Sequence, residues 1–117
     1  MTTQEVANRL VELCRKGQIF EAQEELYDDN IVCIEPPHSP MPLTQGKKAV
    51  FEKGKMFASM IEERHGGSFG DPVVNGRFFC VPTTIDATMT GRGRQVLEEL
   101  SMYEVKDGKI VAETFFY

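Results

Sequence analysis

The chain has 117 residues, 41% of them hydrophobic and 26% charged, which is typical of one globular domain, residues 1–117, with one sizeable core. This balance excludes disordered, fibrous and membrane-embedded classes of protein. The net charge of −5 argues against a nucleic-acid-binding surface, because such surfaces depend on clustered Lys and Arg.

The three cysteines, Cys14, Cys33 and Cys80, are an odd number and lack the spacing of a metal site. Each has apolar neighbours, as buried thiols do, which favours a reducing compartment. The start "MTTQEVANRL" lacks the basic and apolar regions of a signal peptide, and no run of about 18 apolar residues occurs. We therefore expect a cytoplasmic protein without membrane segments.

Two helices are predicted first. Thr2 and Glu5 have the spacing of a capping box, and an apolar stripe with helical period follows until Gly17. After Gly17, a shorter stripe predicts a second helix that ends before Asp28 and Asp29. The two stripes consist of Val6, Leu10, Leu13 and Cys14, and of Ile19, Ala22, Leu26 and Tyr27.

A strand is predicted over residues 30 to 35, followed by the proline-rich loop "PPHSPMPLTQG", in which a helix cannot propagate. A third helix is expected from Lys47 to about His65, where "HGG" ends it. One face of that helix carries Val50, Gly54, Phe57 and Ile61.

Beyond Ser68 the apolar period falls to two, which predicts long antiparallel strands joined by hairpin turns at "GRGR" and "KDGK". Asp107-Gly108 suits a type I′ turn because glycine accepts positive φ. Pro82 lies inside one strand segment, so we expect it at an edge or a bulge, since it has no N–H to donate.

Several of these strands, such as "FFCVPTTIDA" and "IVAETFFY", carry apolar residues on both faces. Both sides of the sheet must then be covered. Helices can cover only one side, so we expect a homodimer that buries sheet against sheet.

This order of elements, with "LYDDNIVCIEP" and the closing "YEVKDGKIVAETFFY", resembles the nuclear transport factor 2-like (NTF2-like) superfamily, in the ketosteroid isomerase and polyketide cyclase branch. The resemblance covers essentially the whole chain. It implies an α+β cone of three N-terminal helices packed on a strongly bent antiparallel sheet. It also implies a small, mostly apolar ligand at the open end of the cone.

The stretch "NIVCIEPPHSP" carries the main candidate, Glu35. Alternation places Glu35 on the same face as Ile31 and Cys33, and Pro36 holds it in an extended conformation. Ketosteroid isomerases place an aspartate base before a proline at the end of this strand, and Glu35 matches that position one residue further along. Two interpretations are open: a general base or acid in the pocket, or a carboxylate that hydrogen-bonds the loop amides of residues 38 to 44.

The two residues that form the oxyanion hole in ketosteroid isomerases are not present in this sequence. Counting from Gly17 and from "KDGKI", the tyrosine and aspartic acid positions hold Leu10 and Ser101 here. Leucine donates no hydrogen bond, and serine is a shorter and less acidic donor. Genuine ketosteroid isomerase activity is therefore disfavoured.

Two further catalytic candidates could assist Glu35. His38 could act as a proton relay or be a solvated loop residue. Asp86 is a second acid candidate if the late-strand register places it on the concave side with Thr84 and Thr88. A one-residue slip would turn it outward.

The candidate ligand-binding residues are those expected on the concave side of the last two strands and on the third helix. Each has an ordinary alternative as a core aromatic or an exposed charge. They are Glu99, Ser101, Tyr103, Phe115, Tyr117 and Phe57, with Glu113 on the same face.

No metal or cofactor is expected. Glu35, His38 and His65 are the only residues that suggest a metal site, and no cysteine pair supports them. The predicted function is the binding of a small apolar molecule beside a pocket carboxylate, with isomerase, cyclase or dehydratase chemistry that needs no cofactor. The alternative is a non-catalytic ligand-binding or dimeric association module.

Overall fold

The computed structural model describes all 117 residues. Its three helices are α1 (Thr3–Arg15), α2 (Ile19–Leu26) and α3 (Lys47–Ser59). The predicted capping box of α1 is confirmed, because Thr2 and Glu5 each accept a hydrogen bond from the other's backbone N–H. Gly17 then ends the first helical segment with φ of 75°, a conformation that glycine adopts without steric cost.

Seven strands form one sheet with the order β2-β1-β7-β6-β5-β3, and β4 also pairs with β5. All pairings are antiparallel except β1 with β7, which is parallel. The α+β class with three helices on a curved sheet is thus confirmed, but the sheet is mixed rather than antiparallel. The strands are β1 (Tyr27–Ile34), β2 (Leu43–Gln45), β3 (Ile61–Phe69), β4 (Val73–Asn75), β5 (Phe78–Met89), β6 (Gly93–Lys106) and β7 (Lys109–Phe116).

The predicted third helix is too long at its C-terminal end. It stops at Ser59, and residues up to Phe69 form β3, including the "HGG" expected to end the helix. This strand is exposed along most of its length, so it has no alternating apolar pattern to reveal it. Antiparallel pairing with β5 supplies its backbone hydrogen bonds instead.

The first strand begins earlier than predicted, at Tyr27 instead of residue 30. Asp28 and Asp29 therefore lie in β1 and do not form a break after α2. Tyr27 already pairs with Ile110 on β7, and this non-local contact outweighs the low strand preference of two successive aspartates.

The two predicted hairpin turns are confirmed. Asp107 and Gly108 have φ of 52° and 76°, as a type I′ turn requires between β6 and β7. Pro82 lies where β5 changes partner from β4 to β3, and its carbonyl accepts a hydrogen bond from the Gly70 N–H at 2.8 Å. Its ring nitrogen faces the side where neither β4 nor β3 pairs with it, so the missing N–H costs the sheet no hydrogen bond.

The core lies between the helices and the concave face of the sheet. Phe79 on β5 and Tyr103 on β6 stack there with ring centroids 4.8 Å apart. The concave face of β6 is buried at Tyr103 and Ser101 but only partly buried at Glu99 and Leu97. One end of the cone is therefore packed with side chains, and the other is open.

No helix has the length and apolar character of a membrane span.

Candidate functional site

The concave face of β1, β6 and β7 collects the residues that alternation placed there. Along each strand the more buried positions alternate with the more exposed ones, and the cross-strand pairs Ser101–Phe115, Tyr103–Glu113 and Cys33–Glu113 connect the strands. The predicted faces of these three strands are confirmed. They present Ile31, Cys33 and Glu35, then Glu99, Ser101 and Tyr103, and finally Glu113, Phe115 and Tyr117.

The prediction that Asp86 faces the concave side is wrong. In β5 the buried side chains all belong to odd-numbered residues, Thr83 and Ala87 among them, so Asp86 lies on the opposite, convex face. There its carboxylate makes a two-pronged pair with Arg94, at 3.0 and 2.8 Å. The β5–β6 turn has three residues between Met89 and Gly93, and this odd count fixes the face on which each β5 residue lies.

Glu35 lies just after β1 with its side chain 18% exposed. One carboxylate oxygen is 3.4 Å from Lys53 Nζ and 3.4 Å from the Ser39 hydroxyl. The other accepts a hydrogen bond from the Tyr117 hydroxyl at 3.4 Å. These contacts are long for hydrogen bonds, so the carboxylate is positioned without being saturated by partners.

The second interpretation of Glu35, a carboxylate that hydrogen-bonds the amides of the following loop, agrees with the structure only in part. The Glu35 backbone N–H donates to the Pro42 carbonyl at 2.9 Å, while the side chain contacts the Ser39 hydroxyl and no loop amide. His38 is exposed, and its ring meets the Tyr117 ring edge-on, with centroids 5.5 Å apart. Ser39, rather than His38, is the loop side chain that touches Glu35.

Lys53 on α3 completes the cluster, and sequence reasoning missed it. Its Nζ lies 2.8 Å from Cys33 Sγ and 5.4 Å from the centroid of the Phe115 ring, with only 15% of the side chain exposed. The sequence contained a pattern that indicates this position. Lys53 lies three residues after the buried Val50, so both side chains share the inward face of the helix. Phe57, one turn further on, is partly buried.

Burial lowers the pKa of Lys53, but the Cys33 sulfur and the charges of Glu35 and Glu113 outweigh that effect and raise it. Lys53 is therefore a cation held inside the rim of the cone. It is the partner that offsets the cost of burying carboxylates nearby.

Glu113 is the deepest carboxyl group, only 2% exposed. It accepts a short hydrogen bond from the Tyr27 hydroxyl, and the Cys33 thiol on the paired strand also favours its charged form. Burial nevertheless raises the pKa of Glu113, because removal from water penalises its charged form more than these donors stabilise it. Tyr27 was assigned to the core stripe of α2, so its role as a donor was also missed.

Glu99 lies between this deep group and the rim. Burial raises its pKa, and the nearby charge of Glu35 raises it further. The concave face therefore offers, in addition to the Glu35–Lys53 pair, a carboxyl group that holds its proton more strongly than an ordinary glutamate. Two carboxyl groups in different environments are a suitable arrangement for an acid and a base.

Ser101 and Tyr103 form the floor of the site. Both are buried and lie on the concave face of β6. Burial raises the pKa of Tyr103 well above its ordinary value, with a further contribution from Glu113. Tyr103 therefore keeps its proton and is available as a neutral hydrogen-bonding group.

An open pocket of about 340 Å³ lies where β1 and β7 end, and Glu35 and Tyr117 are in its wall. Its remaining lining is Ile34, Pro36, Pro37, Thr114, Phe115 and Phe116. Glu35 thus contacts a solvent-accessible space with apolar walls. His65 lies elsewhere, on β3, where its ring contacts the Thr88 hydroxyl at 2.7 Å. No three His, Cys, Asp or Glu side chains are grouped to hold a metal ion.

Comparison with known proteins gives the same family by sequence and by structure. The SnoaL-like domain family matches the chain over residues 1–117. A crystal structure from Mesorhizobium loti, of a protein named as a SnoaL-like polyketide cyclase, has 36% sequence identity and a TM-score of 0.94, with 100% of each chain covered. Among curated protein sequences, none matches this chain.

More distant structures share the fold alone. A protein from Jannaschia sp., also named as a SnoaL-like polyketide cyclase, has 12% identity and a TM-score of 0.74, and the match covers 97% of this chain and 83% of that one. A Catenulispora acidiphila protein with a ketosteroid isomerase-like fold, crystallised with trimethylamine, has 14% identity and a TM-score of 0.75. That match covers 99% of this chain and 87% of the other.

Proposed function

The chain belongs to the SnoaL-like domain family, and from that premise we propose that it binds a small, mostly apolar carbonyl compound at the open end of the cone and moves a proton on it. Membership confirms the relationship to the NTF2-like superfamily that the sequence predicted. The reaction would be an isomerisation, cyclisation or dehydration carried out by the protein's own side chains.

The observation that carries this proposal is the Glu35–Lys53 pair, with Glu99 on the same concave face of the sheet. Glu35 is 3.4 Å from Lys53 Nζ, and its charge contributes to the raised pKa of Glu99. We assign Glu35 as the base, because it borders the open pocket and its contacts leave it free to accept a proton. A general base of this kind contributes roughly 10²–10⁴-fold to a rate.

Glu99 and Lys53 have complementary roles in this proposal. A carboxyl group with a raised pKa, such as Glu99, is better suited than an ordinary one to return the proton to the ligand. The Lys53 ammonium lies where it can stabilise negative charge that develops on a carbonyl oxygen. This cation takes the place of the oxyanion donors that Leu10 and Ser101 do not supply.

The chemistry can be tested without a known substrate. A panel of small apolar ketones in deuterated water would be followed by proton NMR for exchange of hydrogens next to the carbonyl. We expect Glu35→Gln to lower the exchange rate at least 100-fold for any compound that the wild-type protein turns over. Glu98→Gln is the matched control, since Glu98 is exposed on the opposite face of the strand that carries Glu99.

Equal rates for Glu35→Gln and wild type would remove Glu35 from the mechanism. Ligands that raise Tm without any exchange would favour the non-catalytic alternative, in which the same cluster only binds. The sequence feature behind that alternative is the apolar Leu10 at the position where the related isomerases carry tyrosine.

A second part of the proposal concerns the convex face of the sheet. Pro82, Leu100 and Phe116 are directly paired across β5, β6 and β7 and form a row of exposed apolar side chains. Leu100 is 41% and Phe116 54% exposed. We propose that this row is covered by the same row of a second copy in a homodimer.

Native mass spectrometry would test the dimer. Leu100→Glu should shift the population toward monomer, because the dimer would bury a carboxylate in each copy without a partner. Met56→Glu serves as the control, since Met56 is comparably exposed but lies on α3. A wild-type protein that is monomeric at micromolar concentration would contradict this assignment.

A further inference from the structure

The contact between Lys53 and Cys33 is unusual for a lysine and a thiol. The Nζ–Sγ distance is 2.8 Å, which falls within the range of about 2.7–3.2 Å expected for N–H···O hydrogen bonds. Sulfur is a larger atom than oxygen, so a hydrogen bond to a thiol should be longer. The two atoms are closer than ordinary packing of these groups requires.

Ion pairing does not account for this contact. Burial raises the pKa of Cys33 to about 12, and the charge of Glu113 adds to the effect, so the sulfur carries a neutral thiol near neutral pH. The Lys53 ammonium therefore has no thiolate partner there. Its charge is balanced by Glu35 at 3.4 Å instead.

The surroundings can accept the proton that a reaction between the two groups would release, because Lys53 Nζ lies 3.4 Å from the Glu35 carboxylate. Cys33 itself is 0% exposed, which excludes glutathione and other bulky thiols from the sulfur but not a small apolar gas. Cys14 and Cys80 are free thiols as well, and neither contacts a lysine within hydrogen-bonding distance.

We propose that Lys53 and Cys33 are a site of covalent crosslinking, in which molecular oxygen inserts one oxygen atom between Nζ and Sγ to form an N–O–S bridge. The inference is independent of the proposed catalytic function. It rests on the geometry of this pair and on the Glu35 carboxylate beside Lys53.

The reaction balances with molecular oxygen as the only co-reactant. The S–H bond of Cys33 and two N–H bonds of the Lys53 ammonium break, and one N–O and one O–S bond form. Nitrogen and sulfur each lose two electrons, and the four electrons reduce both oxygen atoms, one of which leaves as water. One proton passes to the Glu35 carboxylate or to solvent. Two equivalents of dithiothreitol supply the four electrons that reverse the reaction.

Bridge formation would change the charge of the site. The nitrogen of an N–O bond is a weak base, so the bridged Lys53 is neutral at physiological pH. Glu35 then loses its only cationic neighbour, and α3 becomes tied to β1. Oxidation would thereby alter ligand binding at the rim without exposing a sulfur to solvent.

Intact-mass spectrometry of the full chain tests this proposal. We expect protein equilibrated with air to gain about 14 Da, one oxygen less two hydrogens, whereas sulfenic acid would add about 16 Da. Dithiothreitol should remove the gain. Trypsin does not cleave after a modified lysine, so the bridged form should yield peptide 17–47 joined to peptide 49–55.

Matched variants assign the bridge to these two residues. Cys33→Ser and Lys53→Arg should each abolish the gain of about 14 Da, and Cys80→Ser should retain it. The peptide map of the wild-type protein gives the same answer if a variant fails to fold. Absence of the gain in oxygen-saturated buffer, its persistence in Cys33→Ser, or oxidation confined to Cys33 alone would overturn the proposal.

Discussion

The buried carboxyl group of Glu113 should make the stability of the protein depend on pH, and Glu113→Gln should remove much of that dependence. Below its ordinary pKa of 4.5, the group is protonated in both the folded and the unfolded chain and adds no pH dependence. Above that value the unfolded group ionises while the buried one keeps its proton. The folded state then binds more protons, so its stability falls as the pH rises toward the raised pKa.

The size of the effect follows from linkage. A single group that is protonated when folded and ionised when unfolded lowers the free energy of unfolding by about 1.4 kcal/mol per pH unit. Glu99, whose pKa is also raised, contributes with the same sign. Glutamine keeps the side-chain length and one oxygen to accept the Tyr27 hydroxyl, so the variant should approach wild-type stability at the acid end and exceed it as the pH rises.

The assay is urea denaturation followed by circular dichroism from about pH 5 to about pH 8, at one fixed protein concentration. Glu98→Gln is the control, because Glu98 is exposed and its removal should leave the slope of stability against pH unchanged. Parallel curves for wild type and Glu113→Gln would refute the reasoning. They would mean that Tyr27, Cys33 and Lys53 together compensate fully for the burial of the carboxylate.

Two further changes test local features of the fold by thermal denaturation. Thr2→Ala should lower the free energy of unfolding by about 1 kcal/mol and Tm by about 4 °C, because it removes the hydroxyl that caps α1, while Thr2→Ser should retain most of the stability. Gly67→Ala should cost about 1–3 kcal/mol, because its Cβ would lie 2.7 Å from the Thr84 carbonyl oxygen, whereas a Cβ at the neighbouring Gly66 meets open space. A larger loss for Gly66→Ala than for Gly67→Ala, or an unchanged Tm for Thr2→Ala, would contradict these assignments.

Elements whose signals are local could be predicted from the sequence. The capping box at Thr2, the glycine after α1 and the Asp107-Gly108 turn each depend on a few adjacent residues, and all three have the predicted structure. Alternation also placed Glu35, Glu99 and Tyr103 on the concave face, because side chains in a strand change sides at every residue. The order of these elements was sufficient to indicate the family.

Features that depend on which strands pair, and in which register, could not be predicted in this way. The edge strand β3 has no apolar pattern, and only its pairing with β5 keeps it from continuing α3. Asp86 lies on the convex face because the β5–β6 turn contains an odd number of residues, a count that alternation within one strand does not reveal. The contacts among Lys53, Cys33 and Glu113 join a helix to two strands distant in sequence. Burial raises the pKa of Cys33 and Glu113, and their neighbouring groups raise that of Lys53, so all three shifts require the packed chain.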